Sequence, residues 1–125
     1  MKILLAKPGL DGHDVGVKVL AHALIEAGHQ IIYTGLRKSV EEIVERAKKD
    51  VPDIIGLSVL SGTHQILCEK MNLEMKRQNV NIPWIVGGNI PFEDVDILKK
   101  TGVNCVFPTG TKIQTVVSYI NNYHI

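Results

Sequence analysis

Short apolar runs rich in β-branched residues alternate with longer segments of helical period, and this alternation restricts the possible folds more than any other feature of the chain. Lys2–Lys7, Gln30–Thr34, Asp53–Val59, Trp84–Val86 and Asn104–Phe107 read as strands, most of them apolar throughout, as strands buried on both faces are. Between them, Val15–Ala27 has helical period and stops at Gly28. Ser39 followed by Glu42 forms a capping box that opens a helix over Val40–Lys49. Thr63–Gln78 places Ile66, Leu67, Met71 and Met75 near one face. Pro91 starts a helix expected to end at Gly102, and Lys112–Asn122 is the last.

Strict strand–helix alternation with short loops implies a parallel sheet, because parallel neighbours need crossover connections and these are almost always right-handed. The expected architecture is α/β: a flavodoxin-like, doubly wound, five-stranded parallel sheet with helices on both faces. With 125 residues, 45% of them hydrophobic and 22% charged, there is material for one core, and residues 1–125 are expected to form one domain without linker or repeat.

Charge excludes several classes of partner. A formal net charge of +1 leaves no basic field to attract a phosphate backbone, so no nucleic acid is expected. The apolar stretch Ile3-Leu4-Leu5-Ala6 is too short for a signal-peptide core or a membrane span, which points to a cytoplasmic protein. Cys68 and Cys105 lie in apolar patterns without CxxC spacing and read as reduced core thiols. His22, His29, His64 and His124 make no close ligand pairs with cysteines or acids, and read as surface or satisfied polar residues.

In sheets of this kind ligands bind beyond the carboxyl ends of the strands, near the switch in strand order. The loops that matter are therefore Pro8–Asp14, Val59-Leu60-Ser61-Gly62, Gly87-Gly88-Asn89 and Pro108-Thr109-Gly110-Thr111, all small, glycine-rich or hydroxyl-bearing. Gly9, Gly12 and Gly16 are spaced GxxGxxxG, which is not the dinucleotide fingerprint, and no P-loop occurs. A receiver domain would carry an aspartate at the end of the third strand, where this chain has Ser58. In "LLAKPGLDGHDVG", residues 4–16, a carboxylate two residues before a histidine can accept its Nδ1–H, fix the tautomer and leave Nε2 for a metal, with a lysine at the strand end orienting the carboxylate. Lys7, Asp11 and His13 would then form a relay to a metal. A solvated loop whose Asp and His serve local turns fits the same residues equally well.

"AKPGLDGHDVGVKVLAHAL", with Asp11, His13 and Gly16 in D-x-H-x-x-G order behind Lys7, resembles the cobalamin-binding domain of the methylmalonyl-CoA mutase family. "LSVLSGTH" supplies Ser58 and Leu60 as the S-x-L element, "VGG" supplies Gly87 and Gly88, and "FPTGT" supplies Phe107, Gly110 and Thr111. The resemblance spans nearly the whole chain. Pro108-Thr109-Gly110-Thr111 stands where the family commonly has Gly-Pro-Gly-Thr.

What the resemblance implies is adenosylcobalamin bound base-off, with His13 replacing the cofactor's own base on cobalt, Asp11 on the distal ring nitrogen and Lys7 behind it. Ser58 would face the detached benzimidazole, while Gly87, Gly88 and Gly110 leave room for the nucleotide tail. Gly12, Asp14, Val15, Gly16, Leu60, Ser61, Gly62, Phe107, Pro108, Thr109 and Thr111 would line the cofactor. The family's reaction is a radical rearrangement of an acyl-CoA carbon skeleton. This chain has no room for the (β/α)₈ barrel of about 250 residues that holds the substrate. It is therefore expected to be the small subunit of a heteromeric mutase, an isomerase active only with a large barrel subunit. The alternative is a corrinoid carrier or a cobalamin-responsive interaction module without mutase activity.

Overall fold

The computed structural model describes residues 1–8, 15–35, 38–59 and 62–123. Its elements follow in the order β1 (Lys2–Ala6), α1 (Val15–Glu26), β2 (Gln30–Tyr33), α2 (Val40–Asp50), β3 (Ile54–Val59), α3 (His64–Arg77), β4 (Trp84–Gly88), a 3₁₀ turn (Phe92–Asp94), α4 (Val95–Lys99), β5 (Cys105–Phe107) and α5 (Ile113–Asn121). The strands form one parallel sheet in the order β2-β1-β3-β4-β5. This is the flavodoxin-like order, in which the chain reverses direction between β1 and β3.

The period-2 alternation of each strand divides the core into two. Leu4, Ala6, Ile55, Leu57, Val59, Trp84 and Val86 pack against α2, α3 and α4. Ile3, Leu5, Ile54, Ile85 and Phe107 pack against Val17 and Leu24 of α1 and Val116, Val117 and Ile120 of α5. On that second face β3 and β4 also present Gly56, Ser58 and Gly87, so the apolar layer thins toward the carboxyl ends of the strands.

Helix α2 shows how the sequence specifies its elements. Val40, Ile43, Val44 and Ala47 recur at helical spacing and are all buried. At its start Ser39 Oγ accepts from the Glu42 backbone N–H and Glu42 Oε1 accepts from the Ser39 N–H, each at 3.1 Å. The capping box read from the sequence is present.

Three expectations need correction. Ile66 is not on the buried face of α3: it is 58% exposed, whereas His64, Cys68, Met71, Glu74 and Met75 are buried. Two residues at about 100° each carry Ile66 roughly 200° round the helix from His64. The helix read from Pro91 to Gly102 is a 3₁₀ turn followed by a single short helix ending at Lys99. Asp94, the N-cap residue of α4, does not cap it because its carboxylate is taken by His64 Nε2 at 2.7 Å. Strand β4 runs past Val86 through Gly87 and Gly88, which pair with Ser58 and Val59.

Candidate cofactor site

Lys7 follows β1 directly and lies 2% exposed. The register Ala6↔Leu57 brings the next residues of the two strands, Lys7 and Ser58, side by side. There Lys7 Nζ donates to Ser58 Oγ at 3.2 Å. A buried ammonium is tolerated only where its donors are engaged, so this contact fixes one of the polar groups at the switch in strand order.

Beside it, between the carboxyl half of the sheet and helices α1 and α5, opens a cavity of about 190 Å³. Its floor is Leu5, Gly56, Ser58, Ile85 and Gly87, its walls Val17, Leu20 and Val116, and its mouth Gly16, Gly88, Pro108, Gly110 and Thr111. A Cβ on Gly56 would stand 2.8 Å from Leu5 Cδ2, and one on Gly87 would stand 3.4 Å from Phe107 Cβ. The space exists because neighbouring strands lack side chains at these two points. An apolar cavity of roughly 150 Å³ admits benzene, so this slot has room for one substituted aromatic ring system, with a single hydroxyl on its floor.

The mouth is braced by one hydrogen bond between loops and one within the loop after β5. The Thr109 N–H donates to Ile90 O at 2.9 Å, and Thr111 Oγ1 donates to Pro108 O at 2.6 Å. Gly88 has φ +124°, and a Cβ there would lie 2.3 Å from Val59 O. Its glycine is required by the close approach of β3 before any ligand is considered. Gly110, at φ +92°, makes the turn after β5, and a Cβ on it would meet nothing within 4 Å.

The structure thus gathers Gly16, Ser58, Gly87, Gly88, Phe107, Pro108, Gly110 and Thr111 around one cavity, with Lys7 bonded to its floor. Val15 is exposed, Thr109 braces the mouth from outside, and Gly62 turns the chain into α3, its N–H donating to His64 Nδ1 at 3.2 Å. Asp11, Gly12, His13, Asp14, Leu60 and Ser61 lie outside the described residues. Gly56 was not among the residues expected from sequence. Its signal is a glycine inside the apolar strand IIGLSV, a common mark of close approach by a ligand or another backbone.

Of the other polar candidates, His124 lies outside the described residues. His22 pairs with Glu26 at 3.0 Å on the surface, and His29 contacts Asn121 Oδ1 at 2.6 Å. Both cysteines are free thiols. Among the described residues no group of three or more His, Cys, Asp or Glu side chains could hold a metal, and no helix is long and apolar enough to cross a membrane.

Fold and slot together define a flavodoxin-like α/β protein with an aromatic-sized pocket near its switch point. The family model for the B12 binding domain matches residues 1–117, and the 2-hydroxyisobutanoyl-CoA mutase small subunit of Aquincola tertiaricarbonis is 40% identical over 98% of this chain and 90% of its own length. The chain belongs to the B12-binding domain family, on its acyl-CoA mutase branch. The ethylmalonyl-CoA mutase of Cereibacter sphaeroides is also 40% identical, over 86% of this chain, but the match spans only 16% of that longer protein. A crystal structure of a cobalamin-binding protein from Desulfitobacterium hafniense superposes with a TM-score of 0.85 over 99% of this chain and 59% of that one, at 21% identity, and shares the fold.

Proposed function

We propose that residues 1–125 form the cobalamin-binding small subunit of an adenosylcobalamin-dependent acyl-CoA mutase, an isomerase that works only with a large subunit. The observation that carries this reading is the glycine-cleared apolar slot beside the buried Lys7–Ser58 contact. A slot of that width and polarity suits a detached benzimidazole, which is flat, apolar on both faces and bears ring nitrogens at its edge.

In this reading His13 would hold the cobalt from below and Asp11 would accept its other ring N–H, orienting the imidazole. Lys7 backs Asp11 and Ser58 faces the ring in the slot. Gly16, Gly87 and Gly110 leave the tail room, with Phe107, Pro108 and Thr111 along it and Thr109 bracing the loop. Gly12, Asp14, Val15, Leu60, Ser61 and Gly62 complete the lower rim. The cofactor supplies a cobalt–carbon bond whose homolysis initiates radical rearrangement. The chain's own work is to hold the corrin from below and keep water from its tail. The acyl-CoA is held by the large subunit, in a (β/α)₈ barrel. The large subunit would choose the acyl group: relatives named for 2-hydroxyisobutanoyl-CoA and for ethylmalonyl-CoA are each 40% identical to this chain. The complex would work in the cytoplasm, with neither nucleic acid nor membrane as partner.

Titration of the purified protein with hydroxocobalamin tests this. The expected result is the absorption spectrum of a base-off, histidine-ligated corrinoid, which His13→Ala abolishes. Asp11→Asn should weaken binding by about 10–100-fold, the usual cost of losing a group that orients a metal ligand. An unchanged spectrum and affinity in His13→Ala, or acyl-CoA turnover by the isolated chain, would overturn the reading.

A further inference from the structure

The Lys7–Ser58 contact sets the direction of a hydrogen bond as well as its presence. A serine hydroxyl has one O–H donor and can also accept, so a lone serine on the floor of a slot can present either character to a ligand. A lysine ammonium has donors only. With Lys7 Nζ donating to Ser58 Oγ at 3.2 Å, Ser58 is the acceptor in that bond, and its own O–H is left to donate. Ser58 lines the cavity, so the donor has a ligand-facing direction available. Donation from a cation to the oxygen also polarises the O–H and strengthens it as a donor.

We infer that Lys7 is a positioning residue for the nucleotide tail: by donating to Ser58 Oγ it orients and polarises that hydroxyl as a donor into the slot, favouring a ring that offers a nitrogen lone pair. The inference rests on the cobalamin reading and gives Lys7 a task beyond backing Asp11. A benzimidazole that has left cobalt carries such a lone pair. A ring with only C–H at its edge would leave that donor unmatched.

The two tasks of Lys7 separate with two ligands, cobalamin and cobinamide, the second being the same corrin without the nucleotide tail. The affinities of wild-type protein, Lys7→Met, Ser58→Ala and the double variant are measured for both by absorption titration. The wild type should prefer cobalamin. Lys7→Met and Ser58→Ala should each reduce that preference about tenfold, the scale of one hydrogen bond involving a charged group. The double variant should lose no more than either single variant, because both remove the same bond. Lys7→Gln, which keeps a donor of similar reach without the charge, should retain part of the preference, and it carries the test if Lys7→Met does not fold. If the Lys7 variants weaken both corrinoids equally, or leave the preference at its wild-type value, Lys7 does not act through Ser58. Wild-type protein that binds neither corrinoid would overturn the functional reading and this inference with it.

Discussion

His64 Nε2 lies 2.7 Å from Asp94 Oδ2, joining the first turn of α3 to the 3₁₀ turn that follows β4. His64 Nδ1 accepts from the Gly62 N–H, so Nε2 is the protonated nitrogen that donates to the carboxylate. The two loops joined in this way stand at the carboxyl ends of β3 and β4, the strands that floor the slot.

His64→Ala should therefore destabilise the protein by about 1–3 kcal/mol, the cost of removing a buried partner and leaving its hydrogen-bonding groups unmatched. Asp94→Ala should cost less, because that side chain is one-third exposed and water replaces its contact. Urea midpoints of both variants check this. A His64→Ala midpoint equal to wild type would mean that the pair holds nothing.

Gly87 and Gly88 are neighbours in sequence with separate roles. Gly88→Ala should cost about 3 kcal/mol or more, since its Cβ would meet the Val59 carbonyl on backbone that cannot retreat. Gly87→Ala should alter stability by about 1 kcal/mol at most, its nearest contact being an ordinary one. Its Cβ intrudes on the slot, so cobalamin affinity should fall about tenfold. Thermal melts set beside corrinoid titrations separate the two effects, and equal stability losses would refute the assignment.

The strand–helix alternation was legible because fully apolar strands and capped or glycine-terminated helices each carry a local signal. What escaped were positions decided by partners far away in sequence. Nothing near Asp94 announces that its carboxylate serves His64 instead of capping α4. Gly87 and Gly88 end the apolar run of β4 to the eye, yet pairing with Ser58 and Val59 extends the strand. The buried face of α3 carries a histidine and a glutamate, so apolar periodicity was drawn toward Ile66. At the site, the loops at the strand ends were readable as small and glycine-rich. On the slot's floor Ser58 and Gly87 were named by the resemblance, but Gly56 was not, because it matters only through Leu5 and Ile85 on the adjacent strands.

The capping box predicts an acid-sensitive helix start. Bonding to the Ser39 backbone N–H holds the Glu42 carboxyl below its usual range, so its contribution is present above pH 4.5 and fades as pH falls through the lowered value. Glu42→Ala, which removes that carboxylate, should lower the melting temperature by about 1–4 °C at pH 7. The gap should narrow as pH falls through the lowered value, where Glu42 protonates in the folded state too. A constant gap from pH 7 to pH 3 would count against the linkage.

Burial pushes the Cys68 thiol up to about 12, with the charge of Glu69 adding to the shift. Its thiolate fraction at pH 8 is then about one part in ten thousand, and alkylation of the folded protein should leave it intact. Cys105 is also raised by burial, but Lys99 draws it back and it is half-buried, so it should react first. Peptide mass mapping after iodoacetamide treatment decides the order, and native-state labelling of Cys68 ahead of Cys105 would contradict it.

The slot between the sheet and helices α1 and α5 sets heat resistance against ligand capture. Void-filling substitutions commonly add about 0.5–2 kcal/mol, and larger residues at Val17 or Val116 would gain it here by closing the space left by Gly56 and Gly87. An engineering campaign that scored variants only by survival on heating would select those changes first. It would deliver a sturdier flavodoxin-like protein that no longer takes up its cofactor, so any such campaign on this chain needs corrinoid uptake as a second gate from its first round.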